Sequence, residues 1–322
     1  MLNFYSEDAQ QSARAFLLSQ KTHIETAAID IRYPDIQYPG LIPLDFSANE
    51  WAKSITFFSN DRLGRAQWFH HMAKDVPRAD VVREKFEHTV EMAAIGYGYT
   101  LQELGEAQLI PGTNLPSDRA AAARRAYEEF MEDIAFNGDT DKGWTGLIND
   151  TNVTAAFVEF DGTGNSTAWS DKTADQVLRD LNDVLTGVWV DSKTVEMADT
   201  LLMPLAAMSA LATRRIPETV MTIMEFIKKN NAYTMNTGQE LTIRAVRGLE
   251  TAGEGDTGRI VAYRKSMDVL KMHIPMPHRF LNVWQTGPMQ YEVPGIFRTG
   301  GVEIRRPGAV RYIDGVLNAD YE

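Results

Sequence analysis

Residues 300–316 read GGVEIRRPGAVRYIDGV. Two glycines open a strand-like alternation, a Pro-Gly turn follows, and a second short strand closes it. Side chains alternate across a strand, so Val302 and Ile304 take one face and Glu303 and Arg305 the other. Pro307-Gly308 predicts a chain reversal. Arg305 and Arg306 are consecutive and must diverge, with Arg306, at the strand's end, expected on the Val302/Ile304 side. The stretch has three arginines and no nucleophile, histidine or metal-ligand spacing. Its charges are therefore expected to meet protein rather than substrate. A guanidinium forks onto a carboxylate, and the expected partners are Glu128, Glu129 and Glu132 on a predicted long helix, in the same or a neighbouring chain.

The rest of the chain fits a globular protein. Its 322 residues suffice for one large domain or two ordinary ones. Hydrophobic content of 44% and charged content of 24% indicate neither disorder nor a fibrous fold. A net charge of −12 argues against tight, sequence-independent binding of a phosphate backbone. There are no cysteines, which excludes disulfides, Cys-based zinc sites, iron–sulfur clusters and thiol nucleophiles. The start, MLNFYSEDAQQ, lacks the basic and apolar regions of a secretory signal. The most apolar segment, Leu201–Ala212, is shorter than the roughly 20 residues a bilayer requires. A soluble protein of a reducing cytoplasm, with no membrane partner, is expected.

Along the chain, residues 1–50 read as an arm. Phe4–Gln20 predicts an amphipathic helix, and Pro34, Pro39 and Pro43 predict an extended strap. Residues 82–94 alternate with period 2, so Val82, Phe86, His88, Val90, Met92 and Ala94 share a face broken only by Glu84. Residues 55–73 are the expected antiparallel partner. A long two-stranded hairpin is marginal alone and needs another surface.

Residues 117–137 predict a helix about 30 Å long. Ser117 is the expected cap, Ala123, Tyr127, Phe130, Met131 and Ile134 face inward, and Asn137-Gly138 is the stop. Arg124, Arg125, Glu128, Glu129 and Glu132 fall on a solvated far face. Helices are then expected at 173–185, 197–213 and 217–230. Strands are expected at 188–190, 241–249 and 259–263, with several short ones after His273.

No catalytic set emerges. GEGDTG (253–258) lacks the lysine of a phosphate loop and reads as a mobile surface loop. NGDTDKG (137–143) offers Asp139 and Asp141 but no distal glutamate for calcium. His70 and His71 point to opposite faces of a strand, and the six histidines follow no ligand spacing. Gly-x-Ser-x-Gly is absent. Neither cofactor nor metal nor enzymatic activity is expected.

Four motifs carry a resemblance. They are NDRLGRAQWF (60–69) continuing through KDVPRADV, GYGYTLQEL (96–104), DIAFNGDTDKGWTGLIND (133–150) and PGIFRTGGVEIRRPGAVRYIDGV (294–316). Together they resemble tailed-bacteriophage major capsid proteins of the Hong Kong 97-type fold, in particular the capsid family first catalogued as domain of unknown function 2184. The resemblance implies an α+β fold. Residues 1–50 would be an N-terminal arm and 51–100 an extended β-hairpin loop laid over a neighbour. Residues 101–168 and 286–322 would form a peripheral domain with its spine helix at 117–137, and 169–285 an axial α/β domain.

It further implies self-assembly into hexamers and pentamers of an icosahedral virion shell, made in the host bacterial cytoplasm. A scaffolding protein, a portal and a decoration or cement protein would be partners, and the shell would enclose double-stranded DNA through weak contacts. No scaffold-like segment precedes the arm, so scaffolding is expected from another protein. The inter-subunit contact candidates are Arg62, Arg65, Arg78, Arg83, Lys85, Glu128, Glu129, Glu132, Arg305 and Arg306. Some relatives crosslink a loop lysine to an asparagine; Lys53, Lys74 and Lys85 qualify by position, no motif marks them, and crosslinking is not expected. An encapsulin-like nanocompartment shares the architecture, and a cytoplasmic α+β hydrolase is the competing class.

Overall fold

A computed structural model describes residues 33–63, 68, 78–107, 109 and 114–318. Its centre is a five-stranded mixed sheet in the order Thr242–Ala245, Thr200–Met203, Arg259–Tyr263, Val310–Asp314, Thr154–Phe157. Both faces are buried. Leu202, Val261, Tyr263 and Tyr312 join one core with Tyr127, Met131 and Ile134 of the helix Leu115–Asn137. Leu201, Met203, Ile260, Ala262 and Ile313 join a second core with Val177, Leu181, Val184 and Val188 of the helix Ala174–Asp191. Period-2 alternation thus feeds two cores from one wall. Arg259 and Asp314 lock the inner pair of strands with two bonds, 2.7 and 2.8 Å, and the guanidinium stacks 4.6 Å over Tyr312.

The two strands of the 300–316 stretch do not pair with each other, contrary to the expected reversal. Gly301–Ile304 runs antiparallel to Leu270–His273 in a separate three-stranded sheet that also holds Leu44–Asp45. A 3-10 turn at Pro307–Ala309 then passes the chain into the central sheet as Val310–Asp314, between Arg259–Tyr263 and Thr154–Phe157. One short stretch therefore stitches two sheets together. The central sheet draws its strands 154–157 and 310–314 from outside the 169–285 segment.

Several local expectations are corrected. Asn114, not Ser117, caps the long helix, accepting a bond from the Ser117 amide. The helix of Ala174–Asp191, closed by a Thr173/Gln176 capping box, absorbs the expected strand 188–190, because Val188 continues the buried i, i+4 row from Val184. The expected helix 197–213 begins as the fully buried strand Thr200–Met203, and only after Pro204 does Leu205–Thr213 coil. Within 217–230 only Ile223–Lys229 is helical, and the strand expected at 241–249 is confined to Thr242–Ala245. The long period-2 segment splits at buried Val90. Asp80–Thr89 pairs with Ser54–Leu63, whereas Glu91–Ala94 pairs with Gly295–Thr299.

The described end of the arm is core rather than an extended strap. Tyr38–Leu41 forms a helical turn with Pro39 in its first positions, where a missing amide costs nothing. Tyr38, Leu41 and Ile42 are buried with the long helix. That covers the expected solvated face: the Tyr38 hydroxyl donates to Glu128, 3.0 Å, and the Gln37 amide to Glu132, 2.9 Å. The loop 253–258 is tied down by the Glu254 amide on Asp314, 3.1 Å, and by Gly253 on Thr257. Among the described residues no helix is long and apolar enough to cross a membrane. The predicted helix 4–20 lies outside the described residues.

Because the central sheet divides two cores, adjacent residues on one strand should both be intolerant of truncation. Leu201→Ala and Leu202→Ala are each expected to lower the unfolding free energy by about 2–5 kcal/mol in chemical denaturation. A cost under about 1 kcal/mol at either position would mean that one face is not packed.

Candidate functional site

The most exposed regular element is the ribbon Ser54–Leu63/Asp80–Thr89, ten residue pairs in continuous antiparallel register. At 3.4 Å per residue it reaches about 30 Å. Among the described residues no third strand joins it. Its two faces differ. One carries the pairs Ile55/His88, Phe57/Phe86 and Ser59/Glu84, with Val82, Leu63 and Asp80 beyond; Phe57 and Phe86 stack at 5.1 Å. The other carries Phe58/Lys85, Asn60/Arg83 and Arg62/Val81. Phe58, Leu63, Val81, Val82 and Phe86 are all exposed large apolar residues. A ribbon with this much exposed apolar surface and two open edges is a contact element waiting for a surface.

The root of the ribbon is the opposite case, and the 300–316 stretch builds it. Arg305 stacks its guanidinium 4.5 Å over Phe57 and donates Nε to Glu303 Oε2, 3.0 Å. Glu303 also accepts from His273 Nε2, 2.8 Å. His273 Nδ1 lies 3.5 Å from Asp45, which pairs with Lys271. A chain of polar contacts thus runs from the ribbon, through two paired strands, to the arm. Glu303, Asp45 and His273 are buried. Burial alone would raise the Glu303 carboxyl, but the bonds from His273 and Arg305 outweigh it and bring it below its usual value. Burial likewise opposes ionisation of Asp45, and Lys271 and Ser47 hold it well below the carboxylate range.

Gly300 and Gly301 make the close approach possible. A Cβ on Gly300 would meet His273, the Thr89 carbonyl and the His88 ring at 3.2–3.3 Å. Gly301 has φ +73° and would press on the Trp144 ring, a conformation that favours glycine. His88 Nε2 donates to the Gly300 carbonyl, and burial lowers its pKa from 6.5, with that carbonyl opposing. The Trp144 indole donates to Thr89, 2.9 Å. Arg298, buried with no carboxylate partner among the described residues, donates to the carbonyls of Glu50, 3.0 Å, and Val90, 3.3 Å. It grips the chain on both sides of the ribbon's neck.

The contact candidates fall into three groups. Arg62, Arg78, Arg83 and Lys85 are exposed on or beside the ribbon, Lys85 pairing with Glu87 at 3.4 Å; Arg65 and Lys74 lie outside the described residues. Glu128, Glu129 and Glu132 serve their own chain through Tyr38, Arg125 and Arg247. Within the chain Arg305 and Arg306 bond other carboxylates than these three. Glu303 shares the face of Arg305 two residues away and takes it, while Arg306 bonds Glu196, 2.7 Å.

Sequence reasoning missed Phe57, His88, His273, Asp45 and Arg298. Arg298 left a signal, as a lone charge inside the apolar run GIFRTGG. Asp139 and Asp141 form a capped 3-10 turn, and no group of three or more His, Cys, Asp or Glu suited to a metal occurs among the described residues.

The polar cluster at the root joins the projecting ribbon to the body of the subunit. The family model for "Major capsid protein" matches residues 64–316, and the chain belongs to that family. Solved structures agree on the fold. The capsid of Myoviridae phage XM1 is 19% identical, with TM-score 0.76 over 92% of this chain and 97% of that one. The capsid of a native GTA particle is 10% identical, with TM-score 0.66 over 97% and 99%. The structure from Mycobacterium phage Ogopogo is 13% identical, with TM-score 0.58 over 94% and 98%. No curated protein matches the sequence. The fold is the Hong Kong 97-like capsid fold, and the protein is a structural head-shell protein. The encapsulin and hydrolase readings are not favoured.

The two arginines of the opening stretch should separate in their effects. Arg305→Ala, which leaves a buried carboxylate and an aromatic face short of a partner, is expected to cost about 1–3 kcal/mol in unfolding of the isolated subunit. Arg306→Ala, on a half-exposed pair, should cost under about 1 kcal/mol. Equal effects would contradict the distinction.

Proposed function

We propose that this chain assembles with copies of itself into hexamers and pentamers of a closed icosahedral shell enclosing double-stranded DNA, assembled in the host bacterial cytoplasm. The observation that carries this reading is the ribbon. It is anchored at its root and, over the outer part of its ten residue pairs, exposes Phe58, Leu63, Val81, Val82 and Phe86. Such an element is marginal in water and gains its stability from a neighbour. Closed symmetry covers every copy of it without leaving a fibre-forming end. Residues 51–100 are the proposed loop over the neighbour, the segment carrying the helix Leu115–Asn137 the peripheral part, and 169–285 the axial part around the symmetry axes. Scaffolding, portal and cement functions belong to separate chains in this scheme. The net charge of −12 suits a container whose duplex must slide, since a basic wall would hold each phosphate by counterion release.

Deleting Arg62–Arg83 tests the reading cleanly. Register puts Ser59 opposite Glu84, so the deletion leaves Asn60-Asp61 as a two-residue turn that preserves the root. The subunit should keep its circular dichroism and melting temperature and form no particles by electron microscopy. Particles at parental yield would refute the assembly role, and collapse of helical content would show the ribbon to be core.

A further inference from the structure

The central sheet ends in two open edges. Thr154–Phe157 forms one and Thr242–Ala245 the other, each four residues long and, among the described residues, paired on one side only. Neither strand holds the proline, lysine or bulge that blunts an edge. Backbone groups alternate sides along a strand. The Val158 amide bonds Asp314, and the amides of Thr242 and Val246 bond Asp199 and Met203, all toward the inner strands. The N–H and C=O groups of Ala155 and Phe157 on one edge, and of Ile243 and Ala245 on the other, therefore point outward.

The side chains match as well. Val246 belongs to the core on the long-helix side of the sheet, so Thr242 and Arg244 share that side by parity. Val158 belongs to the other core, so Phe157 turns to the side of Arg244, and Glu159, two residues on, follows it. Phe157 and Phe160 are 41% and 65% exposed, and their rings stack at 6.5 Å. Glu159 and Arg244 are exposed, and neither has an ionic partner among the described residues. The middle of the same sheet shows what such a set does. Arg259 bonds Asp314 on the next strand and lies 4.6 Å over Tyr312, two residues before that carboxylate. The spacing of Tyr312 and Asp314 recurs at the open edge as Phe157 and Glu159, and the arginine that would complete it stands on the opposite edge.

We propose that the edge Thr154–Phe157 of one copy pairs in parallel with the edge Thr242–Ala245 of a second copy, setting Arg244 over Phe157 beside Glu159. The proposal rests on the shell reading above and names a contact separate from the ribbon. The two edge strands run in the same direction within the sheet. A copy displaced sideways without being turned over therefore meets its neighbour in parallel and keeps each core on its own side. With Phe157 opposite Arg244, the Ile243 amide donates to the Ala155 carbonyl, the Phe157 amide to the Ile243 carbonyl, and the Ala245 amide to the Phe157 carbonyl. A slip of one residue would turn Arg244 to the side away from Phe157. The two edges are different surfaces, so the contact is head-to-tail and closes rings when the rotation closes.

The absence of cysteine from the chain makes the test direct. Within one subunit Ala155 and Thr242 sit on strands four spacings apart, about 19 Å, far beyond disulfide reach. In the proposed register they lie opposite each other on neighbouring copies. Particles of the full chain carrying Ala155→Cys and Thr242→Cys, oxidised and run on a non-reducing gel, should give a ladder that climbs past the dimer, and each single variant should run as a monomer. Independently, Glu159→Arg and Arg244→Glu should each raise the concentration needed for assembly by about tenfold or more in sedimentation velocity, and the exchange of both should return it to within about threefold of the parent. Subunit melting should not change, because both side chains are exposed. If the cysteine pair itself blocks assembly, the charge exchange decides. Parent-like particles without a ladder, or an exchange no better than the single reversals, would overturn the proposal. So would a covalent dimer from Ala155→Cys alone, which would show that this edge meets its own kind. Parent particles seen by electron microscopy alongside any of these results leave the shell role standing. A parent chain that forms no particles removes the shell role itself, and this contact with it.

Discussion

The ribbon is rooted in one line of polar contacts, Phe57–Arg305–Glu303–His273–Asp45–Lys271, buried at Glu303, His273 and Asp45. A buried ion pair contributes little net stability compared with apolar packing of the same volume, yet removing one member strands the rest. Such a device is poor at making a core and good at fixing direction. Apolar contacts tolerate sliding, whereas a carboxylate held between a ring nitrogen and a guanidinium does not. Here the device sits where direction matters, between a two-stranded ribbon and the double core that carries it.

The strand Gly301–Ile304 is the common member. It supplies Glu303, leads into Arg305, pairs with the strand that holds Lys271 and His273, and continues through Pro307–Ala309 into the middle of the central sheet. Arg298, one strand earlier, closes the neck from the other side through two carbonyls. Stability accordingly lives in the two cores and orientation lives in the polar root. That separation lets the exposed ribbon remain unpartnered in the free subunit without loosening the body.

Much of this was legible in the sequence, and the failures have physical reasons. The long helix, the hairpin and the parity of Glu303 with Arg305 follow from periodicity, which is local. The four motifs identified the family, whose model spans 64–316. The partners that Arg305 and Arg306 take within the chain, Glu303 and Glu196, are not visible in periodicity because pairing is tertiary, and Glu128 and Glu132 are engaged by Tyr38 and Gln37 from the arm. Proline density marks extended chain and predicts an extended strap for the arm, whereas Pro39 starts a buried helical turn. Thr200–Met203 passed for helix because a four-residue apolar run has no period that separates buried strand from helix. His88 and His273 lie far apart in sequence, and their rings come within 5.7 Å only through the fold.

The claim that the charge line orients the ribbon is tested most directly by amide hydrogen exchange on the isolated subunit, parent against Glu303→Gln. The amides of Ile55–Phe57 and Phe86–Val90 should be protected in the parent and exchange much faster in the variant, while Arg259–Tyr263 and Val310–Asp314 keep their protection. Unchanged protection at the root, or equal loss there and in the central sheet, would contradict the account.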